Sequence, residues 1–176
     1  MKKFVLLLSA LMLIATVSLT AQEQRAASPS AKLVQKVGLT DVTVEYSRPS
    51  MKDRKIFGKD GLVPFDAIWR TGANGATKIT FSGPVTIGGT ELAAGSYAIL
   101  TKPGKKAWAV HFYTFKENGW GSYTEAKPAA MVEVSPSKIK PSVESFLMTV
   151  DHLRDYSAHL VMMWENTSVA VPFKVK

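Results

Sequence analysis

The sequence predicts an all-β protein, an antiparallel β-sandwich or jelly roll with one long packed loop. Apolar residues recur with period two in about nine short segments, as half-buried strands require. The intervals between them are punctuated by Gly and Pro, of which the chain has 12 and 9. No long stretch carries the spacing of an amphipathic helix, and Pro64 to Trp69 offers one turn at most.

The first residues are an address rather than a fold element. Lys2 and Lys3 precede an apolar run from Phe4 to Val17, broken only by Ser9 and Thr16, and Ala21 supplies a small residue for cleavage. This is the layout of a secretory signal peptide. The run is shorter than the roughly 20 residues of a membrane span, and no later segment is apolar enough to cross a bilayer. The expected product begins at Gln22, works in the periplasm or outside the cell, and is not an integral membrane protein. Residues 22–30 have no apolar period and read as a flexible leader, so a single sandwich domain is expected over 31–176.

From there the strands follow in order. Val42, Val44 and Tyr46 alternate with Thr43, Glu45 and Ser47, and Ala76 to Phe81 forms the next strand. Val85 to Leu92 is a hairpin whose Gly88-Gly89 pair supplies the positive φ of a primed turn. Gly95 to Thr101 carries Tyr97 and Ile99 on one face before Pro103-Gly104 turns the chain. Trp108, Val110 and Phe112 then alternate with Ala109, His111 and Tyr113, which makes Trp108 a core residue. Four more strands fit Met131–Val134, Val143–Val150, Ala158–Trp164 and Val169–Val175. Between Pro49, which cannot continue a central ladder, and Gly75 there is no clear strand for roughly 25 residues, and loops this long are functional or disordered. This one holds Ile56, Phe57, Leu62, Val63, Phe65, Ile68 and Trp69, too much apolar surface for disorder. Ile56, Phe57, Leu62 and Trp69 are expected to pack back on the sandwich.

The same region carries a family resemblance. Val42 to Ser50 (VTVEYSRPS), Arg54 to Gly58 (RKIFG), Gly61 to Phe65 (GLVPF) and Trp69 to Asn74 (WRTGAN) resemble the core motifs of domain of unknown function 2911. Leu92 to Tyr97, the Trp120-Gly121-Ser122-Tyr123 cluster and Trp164-Glu165 agree. The resemblance covers residues 28–176 and implies a secreted single domain, mostly from Bacteroidetes, without supplying an activity.

Composition narrows the chemistry. The absence of Cys removes disulfides, zinc–thiolate sites, thiol catalysis and a lipid-bearing cysteine. The formal net charge is +8, or +6 without Lys2 and Lys3. The lysines are scattered, and runs such as Lys52-Asp53-Arg54-Lys55 carry their own acid, so the charge reads as solvated surface and nucleic acid is not an expected partner. There is no Gly-x-Ser-x-Gly elbow, His-Glu-x-x-His helix or phosphate loop, and Glu45, Glu133, Glu144 and Glu165 lie on strands with nothing to pair them. No cofactor or catalytic residue is implied.

Arg48 and Arg70 are the candidates for binding. Each lies beside an aromatic (Tyr46, Trp69) and a small polar residue (Ser47, Thr71), at the edge of the long loop. A guanidinium offers a rigid fork of donors to a carboxylate, phosphate or sulfate. With Asn74, Ser47 and the wall of Trp69, the two forks compose a site for an anionic or carbohydrate-like small molecule. Trp120 and Tyr123, in a Gly-flanked loop, are candidates for sugar stacking. The alternative for the arginines is structural, pinning the loop by its carbonyls or pairing with Glu45, Asp53 or Asp66. The histidines are not expected to hold a metal. His152 falls in a hairpin turn, His159 stands some four residues up the returning strand, and His111 is on another strand. The expected function is a binding module without an assigned ligand; a hydrolase with an unrecognised site in the same cleft and a purely structural envelope protein are the alternatives.

Overall fold

A computed structural model describes residues 26–176; the expected signal peptide and residues 22–25 of the expected leader lie outside the described residues. Pro29 O accepts the Arg48 amide, and Ser30 opens the first strand, β1 (Ser30–Val37), which pairs along its whole length with β2 (Thr40–Ser47). The cause is plain in the alternation of Ala31, Leu33 and Val37 with Lys32, Val34 and Lys36, which half-buries the strand.

The chain continues through β3 (Thr77–Phe81), β4 (Val85–Ile87), β5 (Thr90–Leu92), β6 (Gly95–Lys102), β7 (Trp108–Thr114), β8 (Ala130–Val134), β9 (Ser137–Arg154) and β10 (Ser157–Val175). Every pairing between these strands is antiparallel, in two sheets ordered β1-β2-β3-β6-β7-β8 and β5-β4-β10-β9. The fold is the expected all-β sandwich. Among the described residues the only helical segment is the four-residue 3-10 turn Trp120–Tyr123, and none is long and apolar enough to cross a membrane. Gly88 and Gly89, at φ 57° and 81°, make the β4–β5 turn.

Alternation decides which face each strand buries. Val42, Val44, Ile79, Phe81, Val110 and Phe112 meet Phe146, Met148, Leu160, Met162, Val171 and Phe173 across the sheets in one core. Glu45 and Lys78, opposite one another on the outer face, form an ion pair, and that bond holds the Glu45 carboxyl below its ordinary pKa. The middle of the six-stranded sheet is covered on its outer side as well. There Ala98, Leu100 and Tyr113 pack under Tyr123. Being covered on both faces explains why β6 is buried from Tyr97 through Thr101.

The last two expected strands are one. Glu165, at φ 54°, marks a register shift inside β10, and the β9–β10 ladder resumes beyond it. A bulge of this kind adds residues without ending the pairing. Pro141 sits in β9, an edge strand of its sheet, where a missing N–H is tolerated.

Candidate functional site

The segment after β2 leaves one sheet and runs along the edge of the other. The Tyr46 hydroxyl contacts the backbone of Met148, accepting its N–H at 3.0 Å. The Arg48 Nε donates to Phe146 O at 2.9 Å, Phe146 N donates to Pro49 O, and Met51 N donates to Glu144 O. Backbone groups of Glu144, Phe146 and Met148 on the free edge of β9 are thereby satisfied, which protects an edge strand from pairing with another chain. Arg48 is part of this corner.

The chain then crosses the end of the sandwich. Ile56, Phe57 and Val63 turn inward and join the core. Beyond Thr77 the sixth strand has lost its β3 neighbour, and Trp69 takes the vacant place. Its N–H donates to Thr101 O at 2.7 Å and the Thr101 N–H returns the bond at 2.9 Å. The Trp69 ring stacks on Trp164 at 5.9 Å and meets Phe57, Trp108 and Phe146 edge-on. Its indole N–H donates to Gly72 O. The loop is thus hydrogen-bonded to both sheets at one end of the molecule.

That closure forces unusual backbone. Thr71 is fully buried at φ 56°, a left-handed conformation that a β-branched residue rarely adopts. Its hydroxyl donates within reach of Thr101 Oγ1. Gly72 follows at φ 149°, where a Cβ would stand 2.9 Å from Ser47 O, and Asn74 lies at φ 60°. Lys52 and Asp53, on the facing side, are left-handed too. Strain of this kind persists where the surrounding structure over-determines it and collects at functional sites.

Between these strained turns lies a groove of about 330 Å³. Trp69 and Trp164 form its apolar wall, and Lys52, Arg54 and Arg70 bring cationic side chains to it, while no carboxylate lines it among the described residues. Arg54 is held by bonds from Nε to Met51 O and from Nη2 to Ser50 O. Arg70 differs. Its Nε is buried with no hydrogen-bond partner among the described residues, and its guanidinium carbon stands 5.4 Å from the centre of the Trp120 ring. Arg70 also borders an adjoining apolar shelf of about 170 Å³ with Pro64, Ile68 and Trp120. The arrangement offers fixed positive charge to an anion and an apolar ledge to whatever the anion is attached to.

The family described as protein of unknown function DUF2911 matches residues 28–173. The chain belongs to the DUF2911 family. No curated protein and no solved structure matches it.

Within this DUF2911 domain the expected binding residues separate into two groups. Arg70 and Trp69 line the cationic groove. Arg48 is engaged at the corner, and neither it nor Arg70 pairs with an acid among the described residues. Asn74 donates its amide to Ser28 O and Ser47 Oγ, and with Ser47 borders a different, wider groove beside β1. The five residues therefore do not converge, because the left-handed turn at Thr71–Asn74 sends Arg70 and Asn74 to different grooves. Arg54 and Lys52 take the places expected of Arg48 and Asn74. A charge run that carries its own acid gave no sign of this, since only the fold reveals that Asp53 is absent from the lining.

Other expectations need correction. Leu62 is 47% exposed and forms part of the groove rim. Tyr123 is 2% exposed; its hydroxyl accepts the Lys116 and Glu117 amides and donates to Glu117 O, so it ties its loop shut. Trp108 is buried in the core, as its alternation requires. His152 is not in a turn, since β9 continues to Arg154, and its ring centre lies 4.7 Å from that of His159. His111 is held below the ordinary histidine pKa by burial and by nearby Lys102.

Proposed function

We propose that this domain binds a small organic anion in the groove between Arg54 and Arg70, with the apolar part of the ligand on the shelf formed by Pro64, Ile68 and Trp120. The observation that carries the reading is the Arg70 Nε, which among the described residues is buried without a partner beside a cationic groove that no carboxylate lines. Buried polar groups are nearly always hydrogen-bonded, and each exception asks for an explanation. A carboxylate, phosphate or sulfate accepting from Arg70 supplies one, because a guanidinium matches such groups two bonds at a time. The strained Thr71 beside it supports the reading. A neutral sugar is less well served, because Tyr123 is committed to its own loop and leaves Trp120 without a second stacking surface. The signal-peptide layout of residues 1–21 supports a site of action outside the cytoplasm.

Thermal unfolding in the presence of phenyl phosphate, benzoate and phenol tests the proposal. The two anions should stabilise saturably, by about 2.7 kcal/mol at a hundredfold excess over the dissociation constant, and phenol should not. Arg70→Lys should weaken the anions about tenfold or more, as loss of a charge-assisted bond implies. Equal shifts with phenol, or unchanged affinity in Arg70→Lys, would overturn it.

A further inference from the structure

We infer that His152 and His159 form a two-imidazole site for a late first-row divalent ion, with Cu(II) its tightest occupant. The site lies on the outer face of the four-stranded sheet and does not depend on the anion groove.

Strand alternation by itself would keep the two side chains apart. In β9, Phe146, Met148 and Val150 point into the core, so Asp151 points outward and His152 is due to point inward. His159 lies opposite Asp151 in the ladder, between the buried Ala158 and Leu160, and faces outward. The register then slips. Arg154 pairs with Ser157 and Asp151 with His159, so β9 has one more residue than β10 over this interval. The extra residue is absorbed where His152 takes φ 53°. A bulge of this form re-aims a side chain, and here it brings the two rings together, 4.7 Å between centres and tilted by 33°.

That separation fits chelation. Two imidazoles bound cis to one ion at about 2.1 Å place their ring centres roughly 4.5–5.2 Å apart. His152 is exposed and His159 half-buried, so an ion has access. Neither ring hydrogen-bonds to another described residue; it is the His152 backbone N–H that donates to Asp151 Oδ1, at 2.7 Å. Asp151, opposite His159 in the ladder, adds negative charge to this end of the strand pair without completing a three-ligand group. Among the described residues no group of three or more His, Cys, Asp or Glu converges on one point. Two nitrogens come from the protein, and water or an outside ligand fills the remaining positions. Paired imidazoles suit copper, nickel and zinc, and the affinity order of such ions puts Cu(II) first.

Titration of the purified protein with Cu(II), followed by calorimetry and electron paramagnetic resonance, tests this. The expected result is one equivalent bound, with hyperfine splitting from two nitrogens, displaced by excess Ni(II) or Zn(II). His152→Asn keeps a residue that tolerates positive φ and removes the ligand. It and His159→Asn should each weaken binding by at least about tenfold, the loss that even an outer-shell change brings. Equal affinity in either variant, or a nitrogen signal surviving in the double variant, would overturn the site. Should a variant unfold, Zn(II) titration of the native protein by nuclear magnetic resonance still decides. The His152 and His159 ring signals must shift together while His111 stays fixed; any other pattern refutes the pair.

Discussion

The strand ladder and the segment from Arg48 to Ala76 bury comparable aromatic side chains but secure them by different means. In the ladder, Trp164 is 1% exposed and lies within the long β9–β10 pairing, with its indole N–H on Glu144 O. In the segment, Trp69 is held by one isolated bridge to Thr101, one indole bond to Gly72 and the aromatic rings around it. Of the seven left-handed non-glycine residues described, five fall here: Lys52, Asp53, Asp66, Thr71 and Asn74. The ladder satisfies its backbone by repetition, and the buried side-chain atom it leaves without a partner among the described residues is His111 Nδ1 on β7. The segment satisfies its backbone piecemeal, and that irregularity lets Arg70 stand with a buried donor unmatched. A regular frame carrying an irregular, strained loop is the usual division between stability and binding.

The largest effect should come from the two tryptophans. Trp164→Ala should cost about 3–5 kcal/mol in chemical denaturation, with the whole domain losing stability. Trp69→Ala should cost less than that at equilibrium and should raise protease sensitivity within residues 51–75 first. Equal global destabilisation by both would mean that the loop belongs to the cooperative core rather than lying over it.

The two arginines should divide in the same way. Arg48→Lys loses the bond to Phe146 O and should lower stability by about 1 kcal/mol, with anion affinity unchanged. Arg70→Lys gives up no hydrogen bond to another described residue, and its contact with Trp120 is worth about 0.5–2 kcal/mol, part of which lysine retains. Its stability should hardly move while phenyl phosphate binding falls. The reverse pattern would assign the site to the corner instead.

The smallest effect concerns the ladder alone. His111 titrates below its ordinary value in the folded state, so the unfolded chain binds the proton more readily. Stability should therefore be full above about pH 6.5 and decline as pH falls below it, by no more than about 1.4 kcal/mol per pH unit. His111→Phe should flatten that decline over pH 5–6.5. An unchanged slope would move its origin to other groups.

The strands were legible because their signal is local. Period two at Val42–Tyr46 or Trp108–Phe112 states which side chains face the core, and Gly88-Gly89 states where the chain reverses. The same alternation marked Trp108 as core, and the apolar content of the strandless loop marked Ile56, Phe57 and Val63 as surface that had to be buried somewhere. What alternation cannot state is where a pattern is broken on purpose. Nothing local distinguishes Leu62, left at the groove rim, from Val63, buried next to it, and Tyr123 in its Gly-flanked loop gave no sign that its hydroxyl closes that loop.

By itself the sequence determined an all-β sandwich, the position of its irregular loop and the choice of Arg70 and Trp69 as residues to watch. Tertiary structure decided which cations share a cavity and which histidines meet. Left-handed residues at Thr71 and Asn74 sent Asn74 to the groove that Ser47 of β2 borders, while Arg54 lines the same groove as Arg70. One extra residue in β9 turned His152 from the inward face to the side of His159. Both outcomes depend on φ at a few positions, fixed by pairings distant in the chain, and a single change of sign there reverses the direction in which a side chain points.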